Sequence, residues 1–310
     1  MTTPEESCGG VVVPMATPVT ADGRVDLTAI DRIVNHLVEH GCVPFVLGTT
    51  GEATSYTLPQ KRDIIHQAIL SSAGRAPVYV GIASNCLEES VDLAQESFLK
   101  GADYVVAHLP FYYPLTPAQM IAYFDRLANR VGGRLLVYNI PATTGIAIPE
   151  EVVYELSAHP GIVGVKDSER DLAKQERIIA FCKRTDGFCH FTGWGTQIGH
   201  SLLLGSDGLV PSSGNLVPGM YRTQYDAAKR GDREEVARLQ SVCDQVSEVY
   251  QKGRLLSESL AALKVIMQEL GMCGEHVLPP LTQLSDADRA AIREQTEALD
   301  LVRLSGVRRA

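Results

Sequence analysis

The sequence lacks the features of a membrane-spanning, secreted or nucleic-acid-binding protein. No apolar run reaches the roughly 18 to 20 residues that a transmembrane helix needs. Positive charge is scarce, because 28 Lys and Arg stand against 37 Asp and Glu, giving a formal net charge of -9. Partners rich in phosphate, such as nucleic acids and anionic membranes, require clustered Lys and Arg. The polar and acidic start, residues 1–7, has no basic or apolar region of a signal peptide. We therefore expect a cytoplasmic protein with no nucleic-acid or membrane partner.

Cysteine and histidine also lack metal-binding patterns. The seven cysteines include no C-x-x-C pair, and the eight histidines include no H-E-x-x-H motif. An odd number of scattered cysteines favours reduced, mostly buried thiols over a disulfide framework. No metal site is expected. His108, at the end of a predicted strand, is the histidine closest to the chemistry considered below, but the sequence favours a packing role for it.

Short apolar runs alternate with helical patterns eight times between Gly10 and about Val217. An unbroken βα alternation of this number closes into a (β/α)8 TIM barrel. The competing doubly wound sheet is disfavoured because no G-x-G-x-x-G follows the first strand. Beyond Val217 the pattern is helical to the end. We predict an N-terminal tail (1–9), a barrel (10–225) and a C-terminal helical extension (226–310).

Two of the predicted strands end in residues that can carry chemistry. One ends at Tyr138, before Pro141 stops the ladder, and the next is an apolar run that ends in Lys166. Burial removes hydration from an amine and favours its neutral form, which can attack a ketone and form a Schiff base. A nearby phenol can relay protons. The alternative is an ordinary lysine that reaches water along its methylene stem.

Other predicted strand ends carry polar residues too. Thr49 and Thr50 follow the second strand and Tyr112 follows the fourth. Reacting groups of TIM barrels lie at these ends, so four such ends favour the catalytic interpretation of Lys166. The glycines of Gly48–Gly51 let backbone N–H groups converge on an anion. The turn lacks the lysine of a P-loop, so we expect it to bind a carboxylate and not a triphosphate. The alternative is a tight turn that binds no ligand. The following Glu52 is expected to hold the loop.

Three motifs in this order resemble the dihydrodipicolinate synthase / N-acetylneuraminate lyase family of class I aldolases. They are Gly48-Thr49-Thr50-Gly51-Glu52, Tyr138-Asn139-Ile140-Pro141 with Thr144-Gly145, and Val163-Gly164-Val165-Lys166-Asp167. The resemblance runs from Gly10 to about Leu284.

The resemblance implies a site that works without a cofactor, through a covalent imine between pyruvate and Lys166. The carboxylate of this 2-oxo acid would be held by Thr49 and Thr50, and Val210 would line the pyruvate methyl. Tyr138 would relay protons, positioned by Thr50 and by Tyr112 of a neighbouring subunit. The family also implies a homotetramer, a dimer of dimers.

The residues that would bind the aldehyde, on the acceptor side of the site, indicate which activity of the family this chain has. Synthases carry an arginine two residues after the motif proline, where it grips the carboxylate of aspartate semialdehyde, and this chain has Thr143 there. Loss of a charge-assisted pair weakens such a site. Sialic acid lyases carry an acidic pair after the seventh strand, and Gly193–Gln197 has none. The acceptor pocket would then be lined by neutral groups: Thr143, Thr144, Gly193, Trp194, Thr196, Gln197, Ser212 and Ser213. Trp194 also fits a packing role.

The loop after Pro141 resembles that of 4-hydroxy-2-oxoglutarate and 2-keto-3-deoxy sugar-acid aldolases. We therefore expect a lyase that cleaves or forms the bond between pyruvate and an aldehyde in such substrates. Dihydrodipicolinate synthase and a 2-keto-3-deoxy acid dehydratase are the alternatives within the family. A catalytically idle barrel that binds a 2-oxo acid as a sensor or scaffold is the alternative from another class.

Overall fold

The computed structural model describes residues 8–307. Eight parallel strands pair in chain order and close into a barrel, which confirms the predicted fold class. The strands are β1 (Gly10–Pro14), β2 (Val43–Val46), β3 (Tyr79–Gly81), β4 (Tyr104–His108), β5 (Leu135–Asn139), β6 (Ile162–Asp167), β7 (Cys189–Thr192) and β8 (Gly208–Leu209).

Helices follow the strands, and further helices complete the chain. They are α1 (Leu27–Glu39), α2 (Leu58–Ser72), α3 (Leu87–Lys100), α4 (Pro117–Val131), α5 (Pro141–Thr144), α6 (Glu150–Leu156), α7 (Leu172–Cys182), α8 (Ile198–Leu204), α9 (Pro218–Lys229), α10 (Arg233–Gln251), α11 (Leu256–Glu269), α12 (Asp286–Ala298) and α13 (Leu301–Ser305). Within residues 8–307, none of these helices has the length and apolar character needed to cross a membrane.

Local sequence signals set several helix ends. The hydroxyl of Thr116 accepts a hydrogen bond from the backbone N–H of Gln119, and Pro117 occupies the first helical position of α4, where a missing N–H costs nothing. The same helix ends at Gly132, whose φ of 76° suits a residue without a Cβ. Local side-chain chemistry therefore defines both ends of α4.

The core of the barrel wall comes from continuous apolar runs. Leu135, Val137 and Val165 on β5 and β6 are each at most 1% exposed. Parallel strands with helices on one side and a packed interior on the other are buried on both faces, so they do not alternate between apolar and polar residues. This explains why a lone lysine at the end of β6 stands out in the sequence.

The chain forms two compact units by internal contact, each built from two separate stretches. The first unit contains the chain up to Val12 and Tyr79–Val210. The second contains Val13–Val78 and the chain from Pro211 onward. The predicted boundaries of tail, barrel and extension stay a prediction.

Candidate active site

Three neighbouring strands of the first unit place His108, Tyr138 and Lys166 in one row. His108 on β4 is the register partner of Tyr138 on β5, and Tyr138 is the partner of Lys166 on β6. The Lys166 Nζ lies 3.7 Å from the centre of the Tyr138 ring, and the His108 ring centre lies 6.4 Å from it. The two residues predicted to carry the chemistry therefore meet.

The environment of Lys166 favours an uncharged amine. The residue is only 4% exposed, and burial lowers the pKa of its ammonium below the ordinary lysine value. The charge of Tyr138 and a hydrogen bond with it act in the opposite direction. Loss of hydration is the larger effect, so neutral amine forms at a lower pH than for a lysine in water.

His108 belongs to the same row, and its tautomer follows from its partner. Its Nδ1 lies 2.8 Å from the carbonyl oxygen of Leu109, which can only accept, so the proton of the neutral ring is on Nδ1. Burial lowers the pKa of the His108 ring, and the hydrogen bond to the Leu109 carbonyl opposes that shift only in part. A neutral ring with Nε2 as an acceptor therefore stands beside Tyr138. The sequence indicated its position at a strand end but not this neighbour.

The opposite face of β5 and β6 carries polar residues that the sequence analysis missed. Asn139 and Asp167 follow Tyr138 and Lys166, so strand alternation turns them to the other side of the wall. The Asn139 Nδ2 donates to Asp167 Oδ1 at 2.9 Å. Burial raises the pKa of Asp167 to about 6. Alternation alone could have indicated that these side chains are buried behind the two catalytic candidates.

The predicted acceptor residues of the first unit lie on two segments, α5 and Gly193–Gln197 after β7. The one-turn helix α5 carries Thr143, which is exposed, and Thr144, which is buried with its hydroxyl 3.0 Å from the carbonyls of Ile140 and Ile146. Thr144 thus holds the turn. The Thr143 hydroxyl also donates to the Ile140 carbonyl, at 3.3 Å, but Thr143 is exposed and its oxygen can accept a hydrogen bond from a ligand. A Cβ on Gly193 would lie 2.1 Å from the Ser168 Oγ, so a side chain at Gly193 would displace Ser168.

Val210 and Tyr112 differ strongly in exposure. Val210 is 5% exposed, and its N–H donates to the Thr192 carbonyl, which extends the pairing beyond β8. Tyr112 is 77% exposed, and its ring packs edge-on against Tyr113 with 5.1 Å between ring centres. A Tyr112 ring so exposed on one chain is compatible with the predicted role in a neighbouring subunit, which stays a prediction.

In the second unit, the turn after β2 is fixed by buried polar contacts. Thr50 is buried and Thr49 is partly exposed. The Thr17 hydroxyl donates to the Gly51 carbonyl at 2.8 Å. Glu52, whose φ is 54°, forms a fully buried ion pair with Lys264 at 2.5 Å. As predicted, Glu52 holds the turn.

The serines after β8 have hydroxyl partners. Ser212 lies 2.6 Å from the Tyr250 hydroxyl, and Gln251 Nε2 donates to that tyrosine at 2.8 Å. Ser213 is buried and bonds to Tyr221 and to another serine. Ser212 is partly exposed and can meet a ligand, whereas Ser213 serves packing. No group of three or more His, Cys, Asp or Glu side chains within residues 8–307 is arranged to hold a metal ion.

Comparison with known proteins gives consistent relatives over nearly the whole chain. The model of the dihydrodipicolinate synthetase family matches residues 7–299. The 4-hydroxy-tetrahydrodipicolinate synthase of Shewanella denitrificans is 28% identical, over 94% of this chain and 98% of that protein. The putative 2-dehydro-3-deoxy-D-gluconate aldolase YagE of Escherichia coli is 29% identical, over 94% of this chain and 97% of that protein.

Solved structures of similar proteins share the fold. Dihydrodipicolinate synthase from Bacteroides thetaiotaomicron has a TM-score of 0.89 at 30% identity, covering 94% of this chain and 98% of its own. YagE in complex with pyruvate has a TM-score of 0.89 at 27% identity, covering 94% and 99%. The predicted resemblance is confirmed: the chain belongs to the dihydrodipicolinate synthetase family, and it is a lyase of the class I aldolase type.

Proposed function

We propose that this enzyme forms a Schiff base between Lys166 and a 2-oxo acid and then cleaves, or forms, the bond between pyruvate and an aldehyde. The substrate is a 4-hydroxy-2-oxo acid or a 2-keto-3-deoxy sugar acid. One observation carries the proposal: a buried amine with a lowered pKa lies 3.7 Å from the ring of Tyr138 at the ends of adjacent strands.

The chemistry follows from these two groups. The neutral amine of Lys166 attacks the C2 carbonyl, Tyr138 gives its proton to the departing hydroxyl, and loss of water leaves a protonated imine. The phenolate of Tyr138 then takes the proton of the C4 hydroxyl, the C3–C4 bond breaks, and its electrons flow into the imine. The aldehyde leaves and an enamine of pyruvate remains. Protonation at C3 restores the imine, and water releases pyruvate and the amine. The roles given to Thr49, Thr50, Tyr112 and Val210 remain predictions.

The acceptor side supports an aldehyde without a charged group. The loop that follows β5 presents the exposed Thr143 and contains no Lys or Arg up to Ile148. Hydroxyl groups form good hydrogen bonds with a polyhydroxylated chain. They do not compensate a carboxylate for the hydration that it loses on binding. The name of YagE, a putative 2-dehydro-3-deoxy-D-gluconate aldolase, supports the same substrate class.

A synthase activity is the second candidate, and Arg170 is the observation that favours it. Arg170 lies in the loop after β6, is exposed, and makes no ion pair within residues 8–307. Its guanidinium is a cation that could bind the carboxylate of aspartate semialdehyde in place of the arginine missing at Thr143. A dehydratase would use the same imine and expel a β-hydroxyl instead.

A panel of reactions separates these activities. We expect the highest kcat/KM for pyruvate release from 2-keto-3-deoxygluconate, and a lower value for 4-hydroxy-2-oxoglutarate, whose aldehyde half carries a carboxylate. Replacement of Arg170 by Ala should leave cleavage of 2-keto-3-deoxygluconate unchanged, because its aldehyde half carries no carboxylate. Faster condensation of pyruvate with aspartate semialdehyde, lost in Arg170→Ala, would establish the synthase. Release of water without pyruvate would establish the dehydratase.

A further inference from the structure

Behind Tyr138 and Lys166 lies a polar cluster that the proposed chemistry does not use. We call Asn139, Asp167, Glu169 and Lys174 the Asn139 cluster. Asn139 Nδ2 donates to Asp167 Oδ1 at 2.9 Å and to Glu169 Oε2 at 2.8 Å. Lys174, on α7, places its Nζ 2.6 Å from the same Glu169 oxygen. The side chains of Lys174 and Glu169 are only 10% and 20% exposed, so this ion pair is largely removed from water.

The Asn139 cluster also forms hydrogen bonds with the backbone of Ile148, in the loop that carries Thr143. The N–H of Ile148 donates to Asn139 Oδ1 at 3.0 Å. The carbonyl of Ile148 accepts from Lys174 Nζ at 2.6 Å. Both polar groups of one residue are therefore fixed by the cluster. The loop that carries Thr143 begins at the end of β5, so residues 140–148 are held at both ends.

The Glu169–Lys174 ion pair fixes the position of the Ile148 backbone, which apolar side chains at these positions could not do. A buried ion pair adds little net stability compared with well-packed apolar residues. An apolar side chain at Lys174 would leave the Ile148 carbonyl without its donor, and an unpaired buried carbonyl is costly. The lysine has three donors, and Glu169 and Ile148 use two of them. Lys174 thus connects α7 to Glu169, which follows β6, and to the loop 140–148.

We propose that the Glu169–Lys174 pair positions the loop 140–148 and so determines which aldehydes the enzyme accepts. Glu169 and Lys174 are positioning residues, since neither side chain belongs to the row formed by Lys166 and Tyr138. The inference rests on the proposed function, because it assigns this loop to the acceptor half of the substrate. Formation of the pyruvate imine does not involve the acceptor and should not depend on the pair.

The chain offers a matched control on the same helix. Arg177 also lies on α7, and its Nε lies 2.7 Å from the Glu150 carboxylate of α6. These side chains are 54% and 30% exposed, and the hydrogen bonds of Ile148 go to Asn139 and Lys174 instead. Exposed ion pairs of this kind contribute little to the free energy of unfolding. Arg177→Met therefore removes one cation from α7 without releasing the loop.

The experiment compares Lys174→Met, Glu169→Gln and Arg177→Met in the full chain. For Lys174→Met we expect KM for 2-keto-3-deoxygluconate to rise about tenfold, as for loss of one positioning contact of roughly 1.4 kcal/mol. We expect kcat to fall less, and the preference for 2-keto-3-deoxygluconate over 4-hydroxy-2-oxoglutarate to change severalfold. Pyruvate should be trapped by borohydride as in the unaltered protein. Amide hydrogen exchange should rise in residues 140–148 in Lys174→Met and stay unchanged in Arg177→Met.

The outcomes separate this inference from the proposed function. If pyruvate is trapped but Lys174→Met matches Arg177→Met in KM, preference and exchange, the positioning role is wrong. The same holds if imine formation falls in parallel with turnover, because the pair would then act on Lys166. If the unaltered protein traps no pyruvate, the proposed function itself fails. Should Lys174→Met not fold, Glu169→Gln decides, since it keeps the side-chain shape and removes only the charge.

Discussion

At the scale of single residues, the proposed chemistry depends on the surroundings of the Lys166 amine and the Tyr138 phenol. Lys166 is almost fully buried, and loss of hydration outweighs the stabilisation that Tyr138 gives its charged form. The phenol keeps the amine more basic than burial alone would, and in the proposed mechanism it also moves protons. Both effects can be measured with one substitution.

Tyr138→Phe should lower kcat by about 10²–10⁴, the usual contribution of a positioned acid or base. It should also lower the pH at which half of Lys166 is neutral, because the interaction that raises its pKa is gone. The measurements are kcat for cleavage and the rate of borohydride trapping with pyruvate against pH. A kcat within tenfold of the unaltered enzyme, or a trapping profile moved to higher pH, would contradict these roles.

The residues of this row could be predicted from the sequence to different degrees. A lysine that ends an apolar strand is conspicuous, and the next strand along the chain is its neighbour in a barrel, so Lys166 and Tyr138 could be paired in advance. The contact of Asn139 and Asp167 with Glu169 and Lys174 could not be predicted, because it depends on how the loop and α7 pack. His108 was recognised by position alone, and its partner depends on strand register.

At the scale of secondary structure elements, one buried ion pair holds the turn after β2 to α11. Glu52 and Lys264 have fully buried side chains 2.5 Å apart. The Lys264 Nζ also donates to the His276 carbonyl at 2.9 Å. Burial raises the pKa of Glu52, and the Lys264 charge opposes that shift. The pair thus depends on both partners being present.

Either Glu52→Gln or Lys264→Met should lower the free energy of unfolding by about 3–5 kcal/mol, because each leaves a buried charge without its counterpart. The double variant should lose less than the sum of the two. Urea unfolding at neutral pH measures all three. Strict additivity of the two losses would show that the side chains do not act as a pair.

Element boundaries were predicted best where local chemistry defines them. Helical spacing in the sequence predicts α1 at about residues 27–39 and α3 at about 87–100, and the structure has the same bounds. It missed α5, since a single turn has no period to detect, and it merged a 3₁₀ turn at Gly195–Gln197 into α8. Lys264 lies in an apolar helical stretch, which signals a buried cation, but its partner is more than 200 positions away.

At the scale of the whole molecule, the predicted homotetramer has a consequence for the site. The family resemblance places Tyr112 of one subunit in the site of another, and on this chain the Tyr112 side chain is largely exposed. An exposed phenol at the end of a strand loop can reach a neighbouring subunit without rearrangement of its own barrel. The expected solution mass is four times the 33.6 kDa of the chain.

Mixing two inactive variants tests this arrangement. Lys166→Arg chains lack the amine, and Tyr112→Phe chains lack the phenol. If Tyr112 acts in the neighbouring subunit, mixed oligomers contain sites with an intact Lys166 and an intact Tyr112, so activity should reappear after dissociation and reassembly. The mixture of Lys166→Arg and Tyr138→Phe is the negative control: both residues belong to the same chain, so no mixed site has both intact, and the mixture should stay inactive. No recovery in the first mixture would place Tyr112 in its own subunit's site or outside the chemistry.

The most direct test of the account is reduction with borohydride in the presence of pyruvate, followed by intact mass and peptide mapping. We expect one pyruvate-derived adduct per chain, located on Lys166, and no adduct in Lys166→Arg. An adduct on another lysine, or full turnover by Lys166→Arg, would contradict the central claim that this buried amine captures the ketone.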